Sequence, residues 1–312
     1  MTPNRFAIFR GQIVPIEQAQ LSIMSHIVNY GTGAFGGIRG YWNEARQQLF
    51  IFRLDDHIKR ILSSAHMLMM QIPFSHEQIK AQILELLQKE AYHQDVYLRP
   101  LVYKSDCIIG VKLHNLEDEF SCFAVPFGRY IDKEEGLRAH VSSWRRVEDN
   151  VIPARGKFVG SYVNSAFAKS EAVLNGFDEA IFLNARGQVT EGSAENIFLV
   201  RNGELVTPGL ADGILEGITR RSLIELARNR FGLTVVERSI DRGELYLAEE
   251  AFFCGTGCQV AAIVEIDRRK VGSGKMGPIT QQLRDYYFNV VKGNEAAYEH
   301  WLTPVFPPTA QV

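Results

Sequence analysis

Apolar positions along this 312-residue chain recur with two spacings, and the changes from one to the other mark its elements. RFAIFRGQIV (residues 5–14) and GYWNEARQQLFIF (40–52) carry β-rich arms around a polar turn, so both are predicted hairpins. From about Asp55 to Met70 the spacing becomes helical. Ile58, Ile61, Leu62, Ala65 and Met69 form one stripe expected to face a core, and Arg60 lies off it. Ser75 and Gln78 make a capping box for a second helix whose buried face is Ile79, Ile83, Leu86 and Leu87. The strands VYLRPLVY (96–103) and FSCFAVPF (120–127) follow, and then GRYIDKEEG (128–136) breaks the apolar pattern with charge and glycine.

Beyond that break the alternating strand LRAHVSSW (137–144) leads into a loop containing proline and glycine, which delivers Lys157 to the mouth of a helix. That helix is predicted from about Ser161 to Leu174, with Asn175-Gly176 as its stop. Two meanders come next, AIFLNARGQVTE (180–191) and NIFLVRNGELVTP (196–208). Asn202-Gly203 is the strongest hairpin signal present, because a tight I′ turn needs positive φ at both central positions. A further helix spans roughly Gly217 to Phe231, with Leu223, Ile224, Ala227 and Phe231 on one side and Gly232 as its end.

A chain this long exceeds one ordinary core, and its 46% hydrophobic content can fill two. The expected division is a smaller N-terminal α/β domain over 1–127, a connection at 128–137 and a larger C-terminal domain over 138–312, an α+β (mixed α/β) architecture. A formal charge of −2 without long runs of either sign argues against nucleic-acid partners and a polybasic membrane anchor. The apolar stretches are too short for a membrane span, and MTPNRFAIFRG lacks a secretory leader's basic start and apolar run. Small-molecule partners and a cytoplasmic location are expected. Cys107, Cys122, Cys254 and Cys258 are too few and scattered for a disulfide framework, and the C-x3-C pair at 254 and 258 has no second ligand pair, so no metal is expected.

The chemistry concentrates in the second half. Lys157 in PARGKFVGSY is an amine able to hold an aldehyde as a Schiff base. Glu191 in VTEGSAENIF is a carboxylate able to keep a pyridine nitrogen protonated, and Glu195 competes with it on sequence alone. The Gly217-Ile218-Thr219 turn opens a helix whose first amides and dipole suit a phosphate. Together these suggest pyridoxal 5′-phosphate. Gly31 to Gly36 also satisfies G-x-G-x-x-G, a dinucleotide pattern, but IRGYW and LFIF follow as strands where a helix is required, so an NAD-dependent oxidoreductase is a remote alternative.

MSHIVNYGTGAFGGIRGY (24–41), HIKRILSSA (57–65), YLRPL (97–101), VSSWRR (141–146), the Lys157 loop, EGSAENIF, LEGITR and FFCGTGCQV occur in order over nearly the whole length. On these motifs the chain resembles the branched-chain amino acid aminotransferases of the class IV, fold-type IV pyridoxal-phosphate enzymes. The resemblance implies a two-domain fold with the active site between the domains, and a homodimer, or a higher oligomer, whose subunits lend each other a loop. It implies that Lys157 carries the cofactor and moves the proton, that Glu191 partners the pyridine nitrogen, and that Tyr162 binds the phenolic oxygen. Arg60, Gly217, Ile218, Thr219 and Thr256 would hold the phosphate. Tyr97 with Thr256 and Gly257 would hold the substrate's α-carboxylate, while Tyr30, Phe35, Gly37, Arg99, Phe127 and Tyr130 would line the side-chain pocket. The implied reaction is ping-pong transamination between leucine, isoleucine or valine and 2-oxoglutarate.

Three departures from the family pattern bear on specificity: Gly36 where FEGIR has an acid, Phe127 where tryptophan is frequent, and KSDCIIGVKLHN (104–115) in place of a Gly-rich stretch. They leave a broadened specificity open, toward (R)-amines or D-amino acids. Leu101 stands where the D-amino acid enzymes' R-x-H pair has histidine, which lowers the second of these.

Overall fold

The computed structural model describes residues 5–128 and 135–307. Its contacts divide the chain into two units. The first gathers the residues up to Gly128 together with Gly156–Gly160 and the stretch from Asn289 on, and the second holds the rest.

The first unit is built on an antiparallel sheet in the order Leu302–Pro304, Gln48–Phe52, Ile38–Asn43, Val96–Lys104, Asp118–Pro126, Phe6–Phe9, Gln12–Pro15, with Gly33–Phe35 also pairing with Val96–Lys104. Both predicted hairpins are present. The helices Leu54–Met67 and His76–Glu90 pack beside the sheet, and the Ser75–Gln78 capping box closes in both directions. Ile58, Ile61 and Ala65 are buried as their spacing requires, as are Ile79, Ile83, Leu86 and Leu87. Met69 departs from the expected stripe. The helix ends at Met67, and Met69 turns to φ 53° and stands exposed, while Met70 takes the buried place beyond it. Lys104 and Asp118, an ion pair at 2.8 Å, lie almost wholly inside this unit.

The second unit holds a mixed sheet in the order Val189–Gly192, Glu179–Leu183, Leu137–Arg145, Gln259–Ile266, Glu250–Gly255, Asn196–Arg201, Glu204–Thr207, Val235–Glu237. Leu137–Arg145 runs parallel to both its neighbours, which only long connections allow. The helix Tyr162–Leu174 supplies one connection and packs Ala168 and Ala172 against Phe177, Ala180 and Phe182. Small residues let it approach closely. Asn202 and Gly203 both take positive φ and join Arg201 to Glu204 in the predicted hairpin. The helix Ile218–Phe231 stops at Gly232, whose φ of 63° suits glycine. Val141, Ile181, Ile197, Leu199, Phe253 and Ile263 belong to the core on which these elements rest. Each such side chain contributes about 1.5–3 kcal/mol when fully buried.

The helix Pro278–Val291 lies outside the sequence expectation. Its start is capped by Glu250, from a distant strand, which accepts from the amides of Ile279 and Thr280 and from the Thr280 hydroxyl.

Asp267 gathers His140 (2.8 Å), the Tyr246 hydroxyl (2.7 Å) and the Val141 amide (3.0 Å) around one carboxylate. Burial pushes its pKa up, but these donors outweigh burial and hold it below the ordinary value. A lowered folded pKa stabilises the fold above the unfolded value of about 3.9, and that contribution is lost as pH falls through the folded value. Asp267→Asn should therefore lose about 1.5–3 kcal/mol at pH 7 in urea titrations. The gap from wild type should narrow below about pH 4. A gap of constant size would show that the carboxylate's charge is not what holds this cluster.

Candidate active site

In the first unit Lys157 lies on a segment that has no regular structure of its own and borrows order from Gly33–Phe35. The Phe35 amide donates to the Lys157 carbonyl (3.0 Å), the Val159 amide donates to the Gly33 carbonyl (2.9 Å), and Ala34 and Phe158 form a bridge. The Lys157 amide donates to the Ser64 hydroxyl (3.3 Å), which itself donates to the carbonyl of Arg60 one helical turn back (3.0 Å). The backbone of the lysine is thus fixed from two sides. Its Nζ stands 5.3 Å from the centre of the Phe35 ring.

Strand alternation puts Tyr97 and Arg99 on one face of Val96–Lys104, with Val96 and Leu98 buried on the other. The Arg99 guanidinium lies 4.6 Å from the Phe35 ring centre and donates to the Tyr97 hydroxyl (3.0 Å), while its Nε is buried with no hydrogen-bond partner among the described residues. The Tyr97 ring packs 5.1 Å from Phe127, whose carbonyl is held by buried Arg39 (2.8 Å). Gly37 makes room for this group: a Cβ there would fall 2.3 Å from the Tyr97 oxygen. At Gly36 a Cβ would meet the Pro100 ring at 2.7 Å, so an acid at that position would have to displace the proline. Lys157, Phe35, Arg99, Tyr97, Gly37 and Phe127 are therefore one connected group. Tyr30 is engaged with His26 (ring centres 4.7 Å apart) and accepts from the Gly110 amide (3.1 Å). Tyr130 lies outside the described residues.

In the second unit Glu191 is the last residue but one of the strand Val189–Gly192, and its side chain is 7% exposed. Oε1 meets Arg146 at 2.8 Å, and Oε2 accepts from Asn196 Nδ2 (3.1 Å) and the Leu215 amide (3.0 Å). Each carboxylate oxygen has about two lone-pair sites, so Oε1 keeps one for a further donor. Glu195 folds onto its own turn, accepting from the Ala194 amide through Oε2 and from the Gly192 amide through its carbonyl. Gly217 is the N-cap of Ile218–Phe231, and no side chain caps the helix there. Ile218 and Thr219 are buried behind it. Thr256 and Gly257 form the turn between Glu250–Gly255 and Gln259–Ile266, and Gly255 rests against Ala194 and Glu195. Tyr162 is half-buried at the first turn of its helix.

Sequence reasoning missed Arg146, Asn196, Ser64 and Leu215. Arg146 and Asn196 stood within motifs already singled out, VSSWRR and EGSAENIF, but no spacing says what a side chain will meet 45 residues away. Burial pushes the thiols of Cys122, Cys254 and Cys258 up and leaves them unreactive, whereas Cys107 is exposed. Among the described residues no three His, Cys, Asp or Glu side chains come together as a metal site would require.

Residues 33–266 match the family model for amino-transferase class IV. The chain belongs to the class IV aminotransferases. It is 48% identical over 301 residues to an Aquifex aeolicus protein named "Probable branched-chain-amino-acid aminotransferase", covering 96% of this chain and 97% of that one. The crystal structure of a branched-chain aminotransferase from Thermoproteus uzoniensis with norvaline superposes with a TM-score of 0.93 at 44% identity, over 97% of this chain and 100% of that one. A branched-chain amino acid aminotransferase from Thermobaculum terrenum in its PLP form gives 0.93 at 40% identity, over 97% and 99%. The mixed helix-and-sheet architecture is that of the fold-type IV aminotransferases.

Class IV aminotransferases use pyridoxal phosphate. Each unit holds residues of the kind that group needs: the second a buried carboxylate with one lone pair unspent and a helix start that no side chain caps, the first an amine on a fixed backbone. The carboxylate depends on Arg146 most. Arg146→Met should destabilise the protein by about 3–5 kcal/mol in urea unfolding, because a buried charge is left without its counter-charge. Arg146→Lys should lose less. A loss below about 1 kcal/mol in the Met variant would show that Asn196 and Leu215 satisfy the carboxylate alone.

Proposed function

We propose that this aminotransferase moves the amino group between branched-chain L-amino acids (leucine, isoleucine, valine) and 2-oxoglutarate in a ping-pong cycle. The carrying observation is the Glu191 carboxylate, buried, charge-paired and with an acceptor site to spare. Support for the substrate class comes from relatives named for branched-chain amino acids over nearly the full length.

Bound pyridoxal phosphate supplies an electron sink for the pair of electrons released at the substrate's Cα. Glu191 keeps the ring nitrogen protonated and so strengthens that sink. Lys157 would anchor the cofactor's aldehyde and, once free, would serve as the base that carries the proton between the substrate's Cα and the cofactor's C4′ carbon. An amine with an ordinary pKa of about 10.4 does this near neutrality only where it is desolvated or stands near positive charge. Gly217, Ile218 and Thr219 offer the phosphate the helix start, with Arg60 and Thr256 adding charge and a hydroxyl. Tyr162 binds the phenolic oxygen.

For the substrate, Tyr97 and the Thr256-Gly257 turn take the α-carboxylate. Phe35, Phe127, Tyr30, Tyr130 and Gly37 shape the apolar pocket, and Arg99 meets the distal carboxylate of glutamate or 2-oxoglutarate. The protein acts as a homodimer. The segments around Met24 and Ile109, tied together through the His26 amide to the Asp106 carbonyl (2.7 Å) and His26 Nε2 to the Gly110 carbonyl (2.8 Å), expose Ile23, Met24, Val28, Ile109 and Val111, an apolar surface suited to a second copy. No helix among the described residues is long and apolar enough to cross a membrane, and we place the enzyme in the cytoplasm.

The deciding experiment is an absorbance spectrum of the protein with pyridoxal phosphate, before and after L-leucine, D-alanine and (R)-1-phenylethylamine. Loss of the lysine-bound cofactor band with L-leucine alone is expected. Loss with the (R)-amine as well would mean a wider pocket at Gly36, and no band at all would sink the cofactor reading. Lys157→Ala should stay folded but lose the band and all turnover; full activity would refute its role. Arg99→Ala should impair the 2-oxoglutarate half-reaction at least about tenfold more than the leucine half-reaction, the loss of one charge-assisted pair. Equal losses in single-turnover kinetics would make the arginine structural.

A further inference from the structure

We infer that Asn196 is a positioning residue that locks the ring-nitrogen carboxylate and the phosphate turn to each other, so that the two ends of the cofactor are bound cooperatively. This rests on the roles proposed above for Glu191 and Gly217.

The side chain of Asn196 is buried, and both of its donor hydrogens are used. Its two Nδ2 hydrogens go to Glu191 Oε2 (3.1 Å) and to the carbonyl of Leu215 (3.1 Å). Leu215 is also held by its amide, which donates to the same Glu191 oxygen (3.0 Å), and its carbonyl accepts from the Gly217 amide (2.8 Å). Asn196 Oδ1 lies against Gly217, where a Cβ would fall 1.9 Å from it. The result is a closed ring of contacts running from Glu191 through Asn196 and Leu215 to the first residue of the helix. Asn196 cannot withdraw, because its backbone is paired with Cys254 in the sheet. A shift of the phosphate turn therefore moves Asn196, and a shift of Asn196 moves the carboxylate.

The choice of side chain follows from this geometry. A primary amide offers two donors in one plane at this length. Aspartate would set a second negative charge beside Glu191, and serine would reach one partner at most. Glycine at 217 is required by the same contact, since any Cβ would drive the amide off the carboxylate.

The test uses apoprotein titrated separately with pyridoxal phosphate, with pyridoxal, which carries the ring but no phosphate, and with inorganic phosphate. Asn196→Ala should weaken pyridoxal phosphate at least tenfold and should weaken both partial ligands. Gly217→Ala should weaken pyridoxal as well as phosphate, an effect on the ring that reaches Glu191 through Asn196 or through the Leu215 amide, two routes that the double variant separates. In the double variant the losses should fall well short of additive, since the alanine at 196 removes the clash. Melting of the apoproteins reports folding; if Asn196→Ala does not fold, Asn196→Ser, which keeps at most one of the two side-chain bonds, takes its place beside Gly217→Ala and in the double variant. Additive losses, or pyridoxal binding unchanged in Gly217→Ala, would overturn the inference. Failure of the wild type to bind pyridoxal phosphate would instead overturn the cofactor reading beneath it.

Discussion

The second unit is organised around one buried carboxylate. The Glu191 carboxylate, at 7% side-chain exposure, is paired with Arg146, and two neutral donors complete its hydrogen bonding. Each donor comes from a different place: Arg146 from just beyond the strand Leu137–Arg145, Asn196 from the next strand, and Leu215 from the approach to the helix Ile218–Phe231. The sheet register and the helix start must therefore be correct together for the charge to be tolerated. A misfolded alternative that separated any of them would leave an unpaired buried charge, so the same contacts that tune the site also select the fold.

The first unit solves a different problem, that of placing a lysine accurately on a loop. A segment that begins and ends on glycine, Gly156 to Gly160, has little intrinsic order, and its backbone is expensive to fix. The segment gains that order by pairing with Gly33–Phe35 and by the Ser64 hydroxyl, so its position is inherited from a strand and a helix. Ser64, buried in the helix interior, spends its own hydrogen on the Arg60 carbonyl and so keeps its oxygen free to accept from the Lys157 amide.

Where a signal was complete within a few residues, the sequence was readable. The Ser75–Gln78 box, the Asn202-Gly203 turn and the Gly232 stop each close on themselves, and all appear where expected. The stripe ending at Met69 failed by its last member, because helical spacing continues in the sequence past the point where the backbone turns left-handed. Pro278–Val291 was illegible for the converse reason: its cap, Glu250, arrives from 28 residues upstream. The site divides along the same line. Family motifs pointed to Lys157, Glu191 and the Gly217 turn, whereas the partners Arg146 and Ser64 act across sequence distances over which no local pattern exists, and Asn196, five residues from Glu191, ties it to a residue 19 positions further on.

The proposed dual-use pocket has a physical difficulty, since an arginine that awaits a carboxylate must tolerate an aliphatic group in the alternate half-reaction. The Arg99 surroundings meet it. With its guanidinium over Phe35 and one nitrogen donating to the Tyr97 hydroxyl, the charge is balanced by an aromatic face and a phenol whatever substrate is present. Five N–H donors exceed what Tyr97 consumes, and the buried Nε has no partner among the described residues, so capacity remains for a bidentate carboxylate. The aliphatic substrate then strands no charge, because Arg99 is already partly satisfied by the protein. The dicarboxylic substrate gains by supplying acceptors for the Arg99 donors that remain. In the proposed pocket, discrimination between the two half-reactions would rest on an arginine held short of full hydrogen bonding, which lysine, with a single ammonium and no planar face, would not reproduce.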